Sequence, residues 1–206
     1  MSGTRPGVVI HIPPATVLDA SAQFLKNLDQ FVLIAVVIAG AGVVSGERAS
    51  GTAILALTKP LSRAAFVVAK ILSQVTLLVA GTALGTAICL GVTAIVFKDS
   101  DAGRLVTAVA LYLVYASLLV VVMTLFSAAF RSRGAAAGAG LGFYFLTLLF
   151  SSWGPAARYS FPGLMPAMSH ALTGQALSLG WSMTTAVVAI ALGALAAVRI
   201  FEQQEL

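Results

Sequence analysis

The densest polar island in the chain is Glu47-Arg48-Ala49-Ser50-Gly51-Thr52, followed by Lys59-Pro60-Leu61-Ser62-Arg63 and then Lys70. It lies between long apolar runs in a chain whose mean hydropathy is +1.00. A charged side chain near the centre of a membrane helix costs about 2.5–3.5 kcal/mol on insertion scales, so this cluster belongs outside the hydrocarbon. Its residue types suit contact rather than catalysis. Glu47 and Arg48 close one apolar run, and Gly51 permits a sharp redirection of the backbone. Thr52 can cap a short helix over 53–58, whose Ile54, Leu55 and Leu57 give it an apolar side, and Pro60 stops it. Ser62 then caps the next helix, which carries Arg63 and Lys70 two turns apart. The product is a small helix lying across the membrane surface, pinned between two spans and able to transmit force. A basic loop that only fixed topology would account for the arginines but not for Gly51-Thr52, Pro60 and Ser62.

Other polar constellations are sparse. Met165, Met168 and His170 stand close together, and two thioethers with an imidazole are ligands suited to Cu(I). Methionine is also ordinary packing material, and no metal site is expected. There are no paired carboxylates, no Ser–His couple and no His-Glu-x-x-His, so no catalytic residue is assigned and the chain is not expected to be an enzyme. The single Cys89 excludes a disulfide framework. The hydroxyls of Ser73, Thr76, Thr86, Thr107, Tyr112, Tyr115 and Thr124 could line a pathway, but the simpler expectation is bonding to the preceding turn's carbonyl.

The elements that carry these residues follow from composition. Only 9% of the 206 residues are charged and 59% are hydrophobic. Soluble domains carry roughly 25% charged residues. The fold class is therefore an all-α integral membrane protein. A spanning helix needs about 20 apolar residues, and the gaps between charges then give five spans, about 29–46, 70–97, 105–130, 134–157 and 181–198. By that count no acidic or basic residue falls within a span, which leaves no proton relay and disfavours an ion-driven transporter or channel. The net charge of +5 reflects basic loops rather than affinity for nucleic acid. The connections holding Arg48, Lys59, Arg63, Lys70 and Arg131-Ser132-Arg133 are basic, and loop 98–104 is neutral. The basic loops are expected in the cytoplasm, with the N-terminus outside and the C-terminus inside a bacterial-type plasma membrane.

Residues 1–27 read as an external segment containing a short amphipathic helix at the membrane surface, and 28–206 as the membrane domain. Gly40, Gly42 and Gly46, Gly81, Gly85 and Gly91, and Gly134, Gly138 and Gly142 allow close helix approach. Packing within one subunit accounts for most of this, with the first span the preferred candidate for a subunit interface. Trp153, Tyr159, Phe161 and Trp181 flank an external break and suit an interfacial aromatic belt. Within that break, 169–179 could form a short re-entrant helix.

The pattern Glu47-Arg48-x-x-Gly51-Thr52, then Pro60-x-Ser62-Arg63 and Lys70, resembles the permease subunits of type-2 ABC transporters. The resemblance implies six helices per subunit, two permease subunits forming the pathway, and a separate ABC ATPase on the cytoplasmic face. The short helix would be the coupling helix seated in that ATPase, with Glu47 and Arg48 anchoring it and Arg63 and Lys70 fixing the next span. The chain has no phosphate-binding Gly-x-x-x-x-Gly-Lys-Ser/Thr, so ATP-Mg would be held by the partner and no cofactor by this chain. It would begin where the family's first external segment begins, so the family's first span is expected to be absent from this chain, supplied by another subunit or missed by an upstream start site, with truncation or a misassigned start the preferred reading. The function expected is an ATP-driven exporter of an amphiphilic or hydrophobic substrate. The alternative is a non-transporting structural or assembly subunit.

Overall fold

The computed structural model describes residues 14–49, 62–98 and 101–203. Among them the secondary structure is helical. Thr16 opens the first helix, α1 (Val17–Asn27), with a reciprocal capping box to Asp19. A π-helical turn, Leu28–Val32, passes directly into α2 (Leu33–Ala41), and a tight turn leads to α3 (Ser45–Ala49). The amphipathic segment is therefore not a separate surface element. It continues into the first span as one run, Val17–Glu47, of 31 residues.

The second long helix, α4 (Arg63–Phe97), starts at Arg63 rather than Lys70, because the Ser62 hydroxyl accepts the Ala65 N–H at 3.1 Å. Its 35 residues exceed what a bilayer core needs. Asp101 then caps α5 (Ala102–Ala129), and Ser132 caps α6 (Arg133–Ser151). The fourth span ends at Ser151, not at 157, and α7 (Gly154–Tyr159) is a separate short helix with Pro155 in its first turn. A 3-10 turn, Phe161–Gly163, leads to α8 (Leu164–Thr173), which Gly174 terminates with a left-handed φ of 71°. The helix in the break is thus Leu164–Thr173 and not 169–179, since 175–179 are irregular. The chain closes with α9 (Gly180–Glu202).

Among the described residues five helical runs are long and apolar enough to cross a membrane, and the protein is an all-α, multi-pass membrane protein. Helix α5 is the axis. Its most apolar 18-residue stretch is 67% buried, against 17% for the corresponding stretches of α4, α6 and α9. Those three helices turn Leu77, Ile95, Leu149 and Leu195 outward, the arrangement lipid or another apolar surface requires. Helix α8 folds back onto α5 through Leu164, Met168 and Leu172.

The glycines divide by use. A Cβ at Gly40 would stand 2.7 Å from Met123 Cβ, and one at Gly140 would stand 2.0 Å from Met123 Sδ. Gly40, one of the small residues of the first span, therefore packs inside the chain. Around Gly134, Gly138 and Gly142 nothing lies within 4 Å. The hydroxyls of Thr86, Thr107 and Thr124 donate to carbonyls four residues earlier, as expected of membrane-helix threonines.

Candidate functional site

At the end of the bundle where α3 and α4 meet, three distant segments are tied together. Lys70 Nζ forms an ion pair with Glu47 Oε1, both side chains about one third exposed. The Lys70 ammonium also lies 5.4 Å from the centre of the Phe66 ring, a cation–π distance. Phe66 in turn stacks on Phe201 of α9, with ring centres 5.4 Å apart. One helical turn before Phe66, Arg63 Nη1 donates to the Glu202 carbonyl at 3.1 Å. That bond satisfies one of the orphan acceptors at the end of α9 and places a cation at its negative pole.

The position of Glu47 is fixed from α5. Ser127 Oγ accepts the N–H groups of Val44 and Ser45, each at 3.1 Å, and donates to the Ala41 carbonyl at 2.9 Å. A hydroxyl buried in the central helix thus replaces the hydrogen bonds that α2 gives up at its end. On the other side, Arg133 lies against the glycine turn. A Cβ at Gly42 would meet its Nε at 3.3 Å, and one at Gly46 would meet Nη2 at 2.6 Å. The absent side chains let the guanidinium lie on the backbone.

Of the residues expected to form the coupling element, the structure brings Glu47, Lys70 and Arg63 into one cluster. Arg48 belongs to α3, but its side chain is outside the described residues. Gly51, Thr52, Ile54, Leu55, Leu57 and Pro60, and with them the short helix itself, also lie outside the described residues. Ser127 and Arg133 were not legible as partners. Only the tertiary fold brings a serine in the last turn of α5 against a turn 82 residues away.

The methionine–histidine group does not converge. Met168 is 5% exposed in the core and Met165 packs against the same core, whereas His170 is exposed. On one helix, residues 168 and 170 point about 200° apart. Among the described residues no group of three or more His, Cys, Asp or Glu could hold a metal ion.

A second polar constellation replaces it. Asp29 lies in the π-helical turn, inside the long first run and not at its boundary. Tyr144 Oη donates to Asp29 Oδ2 at 3.0 Å, and Tyr112 Oη donates to the Leu28 carbonyl at 3.0 Å. Tyr144 is seven residues from the end of α6, about 10 Å inward at 1.5 Å per residue. A carboxylate therefore does lie inside one of the membrane-length runs, and the reading of charge-free spans is corrected. Counting spans by gaps between charges assigns every charge to a boundary, which is why Asp29 escaped it. A cleft of about 270 Å³ opens beside Asp29, lined also by Lys26, Leu148, Met165, Met168 and Leu172. On another flank, a mostly apolar cleft of about 340 Å³ between α2 and α4 is lined by Gln74 and Thr82.

Comparison with known sequences decides the family. Residues 9–206 match the family described as Protein of unknown function (DUF2705). The chain belongs to that family. A curated relative, the uncharacterized transmembrane protein YxlG of Bacillus subtilis (strain 168), is 27% identical over 202 residues, covering 92% of this chain and 76% of its own length. The DUF2705 match overturns the resemblance to type-2 ABC transporter permeases. That resemblance rested on a pattern within 24 residues of turn, cap and charge positions, and such positions recur wherever two spans are joined by a structured loop.

Proposed function

We propose that this DUF2705 chain is a membrane-spanning transport subunit driven by a separate ATPase subunit. The observation that carries this reading is the cluster of Glu47, Lys70 and Arg63. The segment 50–61 joins two anchored points, the ion-paired end of α3 and the Ser62-capped start of α4. Displacing that segment would pull on the first run and on α4 together. Through Phe66–Phe201 and Arg63–Glu202 the displacement would also reach α9. A loop needed only for topology does not require links to three helices.

The basic connections and this cluster face the cytoplasm in this reading, with the aromatic belt of Trp153, Tyr159 and Trp181 at the outer interface. All three belt residues are more than half exposed, and Phe161 instead stacks on Phe143 at 5.9 Å. The subunit works beside a second permease chain in a bacterial-type plasma membrane, and its cargo is amphiphilic and exported. ATP-Mg is bound by the partner.

Affinity purification from native membranes in mild detergent, with mass spectrometry of every co-purifying chain, tests this. A stoichiometric chain with a phosphate-binding loop is the expected result. Membrane partners without any ATPase would replace the reading with that of a structural subunit.

A further inference from the structure

The geometry points to the Asp29 cleft as a binding site for the protonated amine of an amphiphilic molecule. It rests on the transport reading only in taking that molecule as cargo. Three independent features converge there. First, the Asp29 carboxylate bonds Tyr144, whose own place is about 10 Å along α6 from its end, so it is drawn into the bundle, where an ionisable group is costly unless it serves a purpose. Second, it is presented by a π-helical turn, an irregularity frequent at functional sites because it turns backbone and side chain away from the regular ladder. Third, the carboxylate opens on a cleft of about 270 Å³ instead of being sealed in the core.

The chemistry of the occupant follows from the walls. Tyr144 donates to Oδ2, which orients the carboxylate without neutralising it. Among the described residues no basic group forms an ion pair with Asp29. A half-buried anion without a counter-ion favours a cation that enters with the ligand. Leu148, Leu172, Met165 and Met168 supply an apolar, polarizable lining that suits the carbon chain behind the amine. Lys26 stands one turn above Asp29 at the rim and is exposed, so it competes weakly for the same carboxylate. Its removal should therefore strengthen amine binding, whereas a purely structural role for Asp29 gives no such effect.

The test is equilibrium binding of radiolabelled dodecylamine and dodecanol to the full chain in phosphatidylcholine nanodiscs at pH 7, with empty discs subtracted. At that pH an alkylamine is protonated, as a lysine is. The expected result is at least tenfold tighter binding of the amine than of the alcohol, abolished in Asp29→Asn and strengthened about threefold in Lys26→Ala. Equal affinity for amine and alcohol in the unaltered protein would overturn the inference. Should Asp29→Asn fail to fold, Lys26→Ala decides, and an unchanged amine affinity counts against the site. The transport reading fails separately. Amine preference without any ATPase partner leaves the site standing and removes the transport reading, while an ATPase partner without amine preference does the reverse.

Discussion

Ser127, in the last turn of the protein's central helix, accepts the backbone N–H of Ser45 at 3.1 Å across 82 residues of sequence. The same oxygen accepts Val44 N–H, so one buried hydroxyl satisfies two donors where α2 ends. Ser127→Ala leaves both donors buried without that acceptor, a loss of about 1–3 kcal/mol. Ser45→Ala should cost less, because Ser45 Oγ only adds a second donor to the Ala41 carbonyl that Ser127 already serves. Thermal unfolding in detergent, followed by tryptophan fluorescence, ranks the two. A larger loss in Ser45→Ala would show that Ser127 is not the anchor.

The ion pair of Glu47 and Lys70 makes a different kind of prediction, since both side chains are partly exposed and the pair adds little to stability. Its role is placement. Glu47→Lys should leave membrane insertion and the unfolding midpoint nearly unchanged, yet abolish ATPase stimulation in the reconstituted complex. Exchanging both charges, Glu47→Lys with Lys70→Glu, should restore a substantial part of it. Restoration separates a geometric link between α3 and α4 from a requirement for an acid at position 47. Stimulation unaffected by the single change would remove the cluster from the mechanism.

What could be read in the sequence was whatever depends on local rules. The five long helices, the cap at Ser62 and the break before the last span follow from apolar run length, capping chemistry and proline and glycine positions. Threonine bonding to preceding carbonyls is equally local. What could not be read depends on one helix meeting another. Asp29 looked like a boundary because its partner, Tyr144, is 115 residues away. Helix α8 looked like a polar detour because Leu164, Met168 and Leu172 reveal an apolar face only against α5. The segment holding Gly51, Thr52 and Pro60 carried most of the functional argument from sequence, and it lies outside the described residues.

Met123 is held between two glycines from different helices, and they touch different parts of it. At Gly40 the near atom is Met123 Cβ, and at Gly140 it is Met123 Sδ. Met123 is fully buried, so neither alanine is free of cost, and overpacking of this kind loses about 1–3 kcal/mol. In a Met123→Ala background the sulfur is gone but the Cβ remains. The penalty of Gly140→Ala should then largely vanish, while that of Gly40→Ala persists. A double-mutant cycle on unfolding midpoints measures both couplings. Additive behaviour at Gly140 would mean that Met123 turns aside there at no cost.

Gly163 is the sharpest steric requirement in the break before the last span. A Cβ built there stands 1.9 Å from the Ala157 carbonyl oxygen and 2.5 Å from Ser182 Oγ. The φ of −63° at this position is open to any residue, so the constraint is space and not backbone conformation. Ser182 can rotate, but a backbone carbonyl cannot move without shifting α7. Gly163→Ala must therefore displace α7 or lift α8 from α5, at a cost of at least about 1–3 kcal/mol. Gly138→Ala is the control, since nothing lies within 4 Å of it and alanine is the better helix former. Hydrogen exchange should show lost protection over Leu164–Thr173 in Gly163→Ala, while Gly138→Ala keeps or raises the unfolding midpoint. Protection of α8 equal to that of the unaltered chain would mean that the tight seat of Gly163 does not hold α8 against the central helix.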